Sequence, residues 1–365
     1  SFLIWIILPI SLSLGDLERV SFLYAISFST IGFLDFGGVS NVLLTKISKG
    51  NRHVNSNNVI SLLATFAIQI LMLIIVTLFL FFYDFSYLEL ITIHLPIFIY
   101  YVCWSTIKKF FESLTRTKTI FIIDIIISIT HVLLFYFFIN HLNNKIFFSF
   151  FISILFISFY IIKLKFIFND LKNLSFYFFY LLKKSAPLLL SSIFVVMIVL
   201  LERNILDIDR GQNPDQYTLT ILLQLSQIIL IPFQGMYNKI WSLEANNKLK
   251  NNKFFTFILS TVILFGPFSI ICLGLFVPII YDIKIDLINI ILAGFMGIVF
   301  LIVQLLTTKL GATNNFKSLG WFSSISALVN FLLLLLISFF IIENETDLNV
   351  SVLSIILIKY LTLSV

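Results

Sequence analysis

The sequence predicts an all-α polytopic membrane protein with about twelve transmembrane helices, divided into two lobes of six. Three observations support this fold. Apolar residues make up 59% of the 365 residues and charged residues only 12%, about half the share that soluble domains carry; mean hydropathy is +1.06. The apolar residues form successive stretches of the length that a helix needs to cross a bilayer. The short loops between them alternate between lysine-rich and lysine-poor.

Six apolar stretches precede the middle of the chain and six follow it. We expect the first and last spans to be truncated, because the chain opens and closes inside an apolar run. The predicted spans are 2–14, 20–45, 59–83, 90–107, 119–139 and 146–162 in the first half, and 187–206, 218–240, 254–280, 287–308, 319–342 and 350–365 in the second.

Lysine and arginine are distributed unevenly between two alternating sets of loops. One set holds five of these residues and the other eighteen, while Lys359 falls in the last span. Loops rich in Lys and Arg stay in the cytoplasm, so the richer loops and both termini of the full-length chain are predicted to be cytoplasmic. Because the basic residues are scattered over many loops, the net charge of +6 indicates topology and no nucleic-acid partner.

The longest connection lies at the midpoint and separates the two lobes. It covers 163–186 and combines five lysines with seven aromatic residues. Such a segment is either an interfacial helix with its lysines toward anionic headgroups or an ordinary linker helix. The predicted domains are an N-terminal six-helix lobe over 1–162, this cytoplasmic interfacial linker over 163–186, and a C-terminal six-helix lobe over 187–365. Two parallel six-span units are a transporter architecture.

Few ionisable residues fall at membrane depth, where each is a functional candidate because inserting a charge is costly. Asp35 lies in a glycine-rich run, and its carboxylate either faces a central cavity or bonds to nearby backbone at a helix break. Asp124 lies near the start of the fifth span. Glu202 and Arg203 form either a solvated outer end, or a site where Arg203 binds an anionic phosphate. Lys359 either does the same or extends its amine to the interface.

Polar uncharged residues mark the eighth span. Gln224 and Gln227 share a helix face, Gln234 follows seven positions later, and Pro232 is expected to kink the helix. This stripe either lines a lumen or joins neighbouring helices by hydrogen bonds. The candidate residues of a substrate path are Asp35, Asp124, Arg203, Gln224, Gln227, Gln234 and Lys359.

We predict no cofactor, no metal site and no enzymatic activity. The four histidines are dispersed, no Gly-rich phosphate loop is present, and Cys103 and Cys272 lie in separate apolar stretches. No predicted outside loop is longer than about a dozen residues. The chain therefore lacks the large outside domain in which a membrane enzyme of glycan assembly usually holds its chemistry.

Four stretches carry local motifs that point to one family. They are 15–22 (GDLERVSF), 34–48 with LDFGG and LTKIS, 231–237 (IPFQGMY) followed by Trp241, and 311–317 (GATNNFK). These stretches resemble Wzx-type O-antigen flippases of the multidrug/oligosaccharidyl-lipid/polysaccharide (MOP) exporter superfamily. The resemblance covers the whole chain in span number, loop length and orientation, and it implies the MOP or MATE-like fold, with two six-helix lobes in a V around a cavity.

The resemblance also implies a function. That function is the flipping of an undecaprenyl-diphosphate-linked oligosaccharide, an O-antigen or capsule repeat unit, across the bacterial cytoplasmic (inner) membrane by alternating access. The implied partners are this lipid-linked substrate, membrane lipids and other polysaccharide-assembly proteins. Two alternatives stay open: a cation-coupled multidrug antiporter, which would use acidic residues such as Asp35 and Asp124, and a membrane polymerase or acyltransferase.

Overall fold

The structure, a computed structural model, is predominantly helical in the part of the chain that it describes, and that part contains no strand. The described residues are 23, 26–50, 56–82, 85–87, 90, 94–114, 122, 125, 129, 173–207, 222, 226, 240, 241, 243–245, 260, 264–268, 271, 272, 274, 275, 279, 287–344 and 357.

Helices of very different length follow one another in these residues. They are α1 (Ile31–Leu34), α2 (Val39–Lys49), α3 (Ser56–Phe82), α4 (Leu95–Ile97), the π-helix π1 (Phe98–Trp104), α5 (Ser105–Ser113), α6 (Leu174–Asp207), α7 (Leu287–Ala312) and α8 (Phe316–Asn344). Helices α3, α6, α7 and α8 contain stretches long and apolar enough to cross a membrane. An all-helical chain with membrane-length apolar helices is therefore confirmed for the described residues, whereas the twelve-helix, two-lobe arrangement stays a prediction.

A fifth membrane-length segment is broken in its middle. The helical stretches Ile26–Leu34 and Val39–Lys49 meet at an angle of 42°. Between them, Phe36, Gly37 and Gly38 have φ angles of 45°, 68° and 112°, in the left-handed region that glycine adopts without steric cost. The glycine-rich run thus bends the second predicted span.

Glycines of this segment also allow helix α6 to approach closely. A Cβ on Gly37 would lie 2.5 Å from the carbonyl carbon of Leu188, and a Cβ on Gly32 would lie 3.0 Å from the Ser192 Oγ. Small residues permit such backbone contact between membrane helices. No larger residue fits at position 37 unless α6 moves.

Helices α4, π1 and α5 form one continuous helical segment from Leu95 to Ser113. The sequence predicted a span ending at 107 followed by a basic loop. The helix continues because Phe110 and Phe111, 0% and 2% exposed, pack into the apolar core of the first half. Lys109 is therefore a helical residue, and its assignment to a loop is corrected.

Helix α6 continues through the junction between the predicted linker 163–186 and the seventh span. It begins within the linker and contains Pro187 in its interior. Tyr177 packs against the core of the protein, whereas Phe176 and Phe179 are 66% and 68% exposed. The described part of the linker is thus a helical extension of the span, with aromatic residues on both a buried and an exposed face.

One apolar core joins the two halves of the sequence. It contains buried residues of α2 and α3 from the first half together with residues of α6 and α8, Trp241 and Ala245 from the second. Helix α6 packs most extensively against α8 and also contacts α2 and α3. Among the described helices, α6 is therefore the main link between the halves.

Candidate functional site

The bend between α1 and α2 places the Asp35 carboxylate at the start of α2. Its Oδ1 accepts a hydrogen bond from the Ser40 backbone N–H at 3.2 Å, and its Oδ2 accepts one from the Ser40 hydroxyl at 2.5 Å. The first amides of a helix have no acceptor within the helix, and negative charge is favourable there. One role of Asp35 is therefore to bond to backbone at the helix break, as one of the two sequence interpretations proposed.

Helix α3 brings a further donor to the same carboxylate. Gln69 Nε2 lies 2.6 Å from Asp35 Oδ1 and 2.8 Å from Thr106 Oγ1. Gln69 and Thr106 are both 0% exposed. The Thr106 hydroxyl donates in turn to the Val102 carbonyl oxygen in π1, at 2.8 Å. The Gln69 amide thus ties the bend to α3 and to the α4–π1–α5 segment.

Lys109 supplies the opposite charge. Its Nζ donates to the Ser40 Oγ at 2.6 Å, and that hydroxyl donates to Asp35. A serine hydroxyl therefore bridges an ammonium and a carboxylate. Charges inside a protein are tolerated when they are partnered and hydrogen-bonded in this way. We call Asp35, Ser40, Gln69, Thr106 and Lys109 the Asp35 cluster.

Helices of the second half cover the bend that carries the Asp35 cluster. The Gly37 backbone touches α6 at Leu188, directly after Pro187. From the other side, α8 crosses α6 at Gly320, where a Cβ would lie 2.3 Å from the Pro187 carbonyl oxygen. The bend, the proline of α6 and the crossing with α8 are therefore stacked against one another.

A second polar contact joins the halves at the lysine-bearing ends of α2 and α7. Trp241 Nε1 donates to Thr45 Oγ1 at 2.8 Å, and the same hydroxyl lies 3.4 Å from the Gly311 carbonyl oxygen. Trp241 is 1% exposed, and a Cβ on Gly311 would lie 2.1 Å from its ring. The indole thus fills the space between the two helix ends. We call Thr45, Trp241 and Gly311 the Trp241 contact.

Lys46 adds a third link beside the Trp241 contact. Its Nζ donates to the Ser61 hydroxyl of α3 and lies 3.5 Å from the centroid of the Tyr177 ring of α6. A cation over an aromatic face is attracted by the ring quadrupole. Here an aromatic residue of the predicted linker meets a lysine of the first half.

The structure tests few of the residues predicted to line a substrate path. Asp35 lies in the Asp35 cluster, and Arg203 lies in α6, but the Arg203 side chain is outside the described part. Glu202 is 1% exposed, so a solvated outer end is wrong for this residue, because α6 continues beyond it to Asp207. The candidates outside the described residues are Asp124, Gln224, Gln227, Gln234 and Lys359.

Sequence reasoning missed four of the five members of the Asp35 cluster, and all of these except Ser40 left a signal. Gln69 is an amide at the centre of a long apolar span, where it needs a hydrogen-bond partner. Thr106 and Lys109 are three residues apart and so share a helix face. Counting Lys109 only as a loop charge concealed this spacing.

The Asp35 cluster stabilises a negative charge inside the helix bundle. Asp35 accepts hydrogen bonds from the Ser40 amide, the Ser40 hydroxyl and the Gln69 amide. Within the described part of the chain, no three His, Cys, Asp or Glu residues are grouped to hold a metal ion. The cluster therefore presents one positioned carboxylate and one positioned ammonium.

Comparison with protein-family models and with curated proteins finds no match for this chain. Its function is therefore inferred from the Asp35 cluster, the Trp241 contact and the sequence.

Proposed function

We propose that the chain is a transporter that flips an undecaprenyl-diphosphate-linked oligosaccharide across the bacterial cytoplasmic membrane by alternating access. The Asp35 cluster carries this proposal: a carboxylate and an ammonium lie at a break in a membrane-length helix, directly against α6 of the second half. Discontinuous helices with polar groups at membrane depth are typical of substrate and ion sites in transporters.

The energetics of the Asp35 cluster support a functional role. An ionised side chain at the centre of a membrane span costs about 2.5–3.5 kcal/mol on insertion scales. Apolar residues of similar volume often stabilise a protein as well as a buried ion pair does. A charge pair held by Ser40, Gln69 and Thr106 is therefore better explained by a polar path than by stability alone.

The Trp241 contact supports alternating access. It joins α2 of the first half to α7 of the second at their lysine-bearing ends, through one indole ring and the hydroxyl that accepts its hydrogen bond. For a cargo to enter between the halves from the side of these lysine-bearing ends, two contacts must open. The Trp241 indole must move away from Gly311, and Lys46 must move away from Tyr177. The proposal includes two lobes of six spans that rock about this contact.

The identity of the cargo rests on the resemblance to Wzx-type flippases. Two of the four stretches that carry it, together with the tryptophan that follows a third, supply Asp35, Thr45, Trp241 and Gly311. Thr45, Trp241 and Gly311 contact one another, and Asp35 lies in the same bent segment as Thr45. A diphosphate and a glycan cannot cross hydrocarbon unaided, because desolvating them is too costly. A path lined by polar groups that opens to alternate sides removes that barrier without covalent chemistry.

A cation-coupled antiporter is the second candidate, and the Asp35 carboxylate favours it. A carboxylate at membrane depth can bind a proton or a cation and so couple its movement to that of another solute. In that case Asp35 would change its charge during transport while Lys109 balanced it through Ser40.

Proteoliposomes that contain the purified full-length chain test the proposal. A fluorescent undecaprenyl-diphosphate-linked oligosaccharide is placed in both leaflets, and an impermeant reductant bleaches the molecules in the outer leaflet. Without flipping, the reductant bleaches only the half of the label that lies in the outer leaflet. With the chain present, we expect the bleached fraction to rise to nearly all of the label. Asp35→Asn and Lys109→Met should abolish the increase, because each removes one charge of the pair that Ser40 bridges.

Lys49→Met is the matched control, since it removes one exposed lysine at the end of α2 outside the cluster. It should flip lipid as fast as the unchanged chain. Bleaching that stops at the outer-leaflet half with folded, unchanged protein contradicts the flippase assignment. A different outcome is that an imposed cation gradient drives drug uptake and that Asp35→Asn abolishes this uptake. In that outcome the antiporter replaces the flippase as the function of the chain.

A further inference from the structure

We propose that a cavity between α6 and α8 binds the anionic headgroup of a membrane phospholipid. The cavity has a volume of about 510 Å³ and is lined by the first part of α8 and the Pro187 region of α6. None of the residues of the Asp35 cluster lines it. The inference is independent of the proposed transport function.

Positive charge is concentrated at the cavity. Lys183 and Lys184 come from α6, and Lys317 comes from the first turn of α8. None of the three forms an ion pair with a residue that the structure describes. Lysine binds phosphate as a point charge, so this group attracts an anion.

The beginning of α8 adds backbone donors at the same place. The first amides of a helix have no acceptor within the helix and lie at the positive end of its dipole. Asn315 Oδ1 accepts the Ser318 amide at 3.4 Å. The earlier amides of Phe316 and Lys317 have no acceptor within their own helix, and both residues line the cavity.

A buried hydroxyl without a partner lies deeper in the cavity. Ser324 is 5% exposed and lines the cavity, and its Oγ has no hydrogen-bond partner among the described residues. The adjacent Ser323 instead donates to the Leu319 and Gly320 carbonyl oxygens, at 2.7 and 3.3 Å, as helical serines commonly do. Since buried polar groups are normally hydrogen-bonded, the free Ser324 hydroxyl independently indicates a polar ligand.

The apolar part of the cavity favours a lipid over a soluble anion. Leu190 and Trp321 are 47% and 59% exposed, line the cavity, and belong to membrane-length helices. Ser324 follows Lys317 by two helical turns, about 10 Å along α8. Along α8, Lys317 is followed by Trp321 and then Ser324, so apolar and polar groups lie beyond the charged end of the cavity, as the glycerol and chains of a phospholipid lie beyond its headgroup. Lysines and tryptophan at a membrane interface favour this partner.

Quenching of Trp321 fluorescence by brominated lipids tests the proposal. The full-length chain is reconstituted in phosphatidylcholine vesicles with increasing shares of brominated phosphatidylglycerol or, in parallel, brominated phosphatidylcholine. The Trp321→Phe variant measures the signal of the other tryptophans, which is subtracted. We expect half-maximal quenching at an about fivefold lower share of the anionic lipid than of the zwitterionic lipid, as a fivefold stronger affinity requires.

The variant Lys183→Gln/Lys317→Gln should abolish this preference. The conservative Ser324→Ala should lower it by about half, because the hydroxyl contributes a single hydrogen bond. The matched control Lys49→Gln/Lys309→Gln removes the same charge from two exposed lysines outside the cavity and should keep the preference.

Two kinds of result would overturn the proposal: the absence of headgroup selection by the lysines, and the binding of a soluble anion. Equal quenching by the two lipids, or a preference that survives Lys183→Gln/Lys317→Gln, shows that the lysines select no headgroup. Inorganic phosphate that changes Trp321 fluorescence in pure phosphatidylcholine as strongly as phosphatidylglycerol does shows a site for a soluble anion. Flipping is measured separately, so neither result bears on the proposed transport function.

Discussion

Helices α3 and α8 are similar in length and apolar character but have opposite surroundings. In the most apolar stretch of each, 56% of the residues are buried in α3 and only 22% in α8. The buried polar residues of α3 recur at helical spacing on one face, while apolar side chains such as Leu71 and Leu78, 47% and 55% exposed, face outward. That polar face consists of Asn58, Ser61, Thr65 and Gln69. In such a protein, polarity indicates the buried face better than hydrophobicity does.

One buried serine of α8 is also bonded differently from the buried serine and threonine of α3. On α3, Ser61 and Thr65 donate to carbonyl oxygens of their own helix, and Gln69 donates to Asp35 and Thr106. On α8, the Ser324 hydroxyl has no partner among the described residues. Helix α3 thus belongs to a bonded network inside the protein, whereas α8 holds a buried hydroxyl that has no partner among the described residues and lies beside the cavity between α6 and α8.

Removing the Lys109 charge from the Asp35 cluster should have the largest effect on the unfolding free energy. Lys109→Met leaves the Asp35 carboxylate inside the bundle without its cation, which costs about 3–5 kcal/mol of unfolding free energy. Unfolding in SDS, monitored by circular dichroism, measures the loss. The double variant Asp35→Asn/Lys109→Met should recover part of it, because the Asp35 side chain is then neutral and is no longer a buried charge without its cation. A Lys109→Met variant as stable as Lys49→Met would contradict the bridged charge pair.

The next largest effect on the unfolding free energy should distinguish buried from exposed leucines on these helices. Leu62→Ala, at 0% exposure on α3, should cost about 2–5 kcal/mol, because it opens a cavity in the core. Leu71→Ala on the same helix and Leu332→Ala on α8, 47% and 48% exposed, should stay within about 0.5 kcal/mol. The same SDS unfolding compares all three. Equal losses at the three positions would show that α8 is covered as fully as α3.

A smaller effect on stability is expected at the Trp241 contact, where the second half packs against the first. Gly311→Ala pushes a methyl group into the Trp241 ring, 2.1 Å away, and should cost about 1–3 kcal/mol through overpacking. Thermal unfolding in detergent measures the change. Combining it with Trp241→Phe should restore part of the stability, because the smaller ring makes room for the methyl group. If the double variant is less stable than either single variant, the two residues do not compete for space.

The sequence predicted the apolar membrane-length parts of the described long helices, and a helix break at Asp35 was one of its two interpretations, because these features depend on local properties. Apolar length defines each span, and consecutive glycines permit positive φ angles. The partners of Asp35 were not predicted, since Gln69 lies 34 residues away and Lys109 reaches it through Ser40, 69 residues from Lys109. Trp241 and Thr45 are 196 residues apart. No periodicity within one segment indicates such a pairing.

By itself, the sequence determined that the described chain forms membrane-length helices and which of their ends carry lysine. Both follow from single segments, because hydrocarbon forces each backbone to bond within its own helix and lysine avoids hydrocarbon. Only the tertiary structure decided which face of each helix points inward. That choice depends on where backbones can touch, as Gly37 touches Leu188 and Gly320 touches Pro187. Packing at these glycines therefore covers the bend that carries the Asp35 cluster, while the Ser324 hydroxyl has no partner among the described residues.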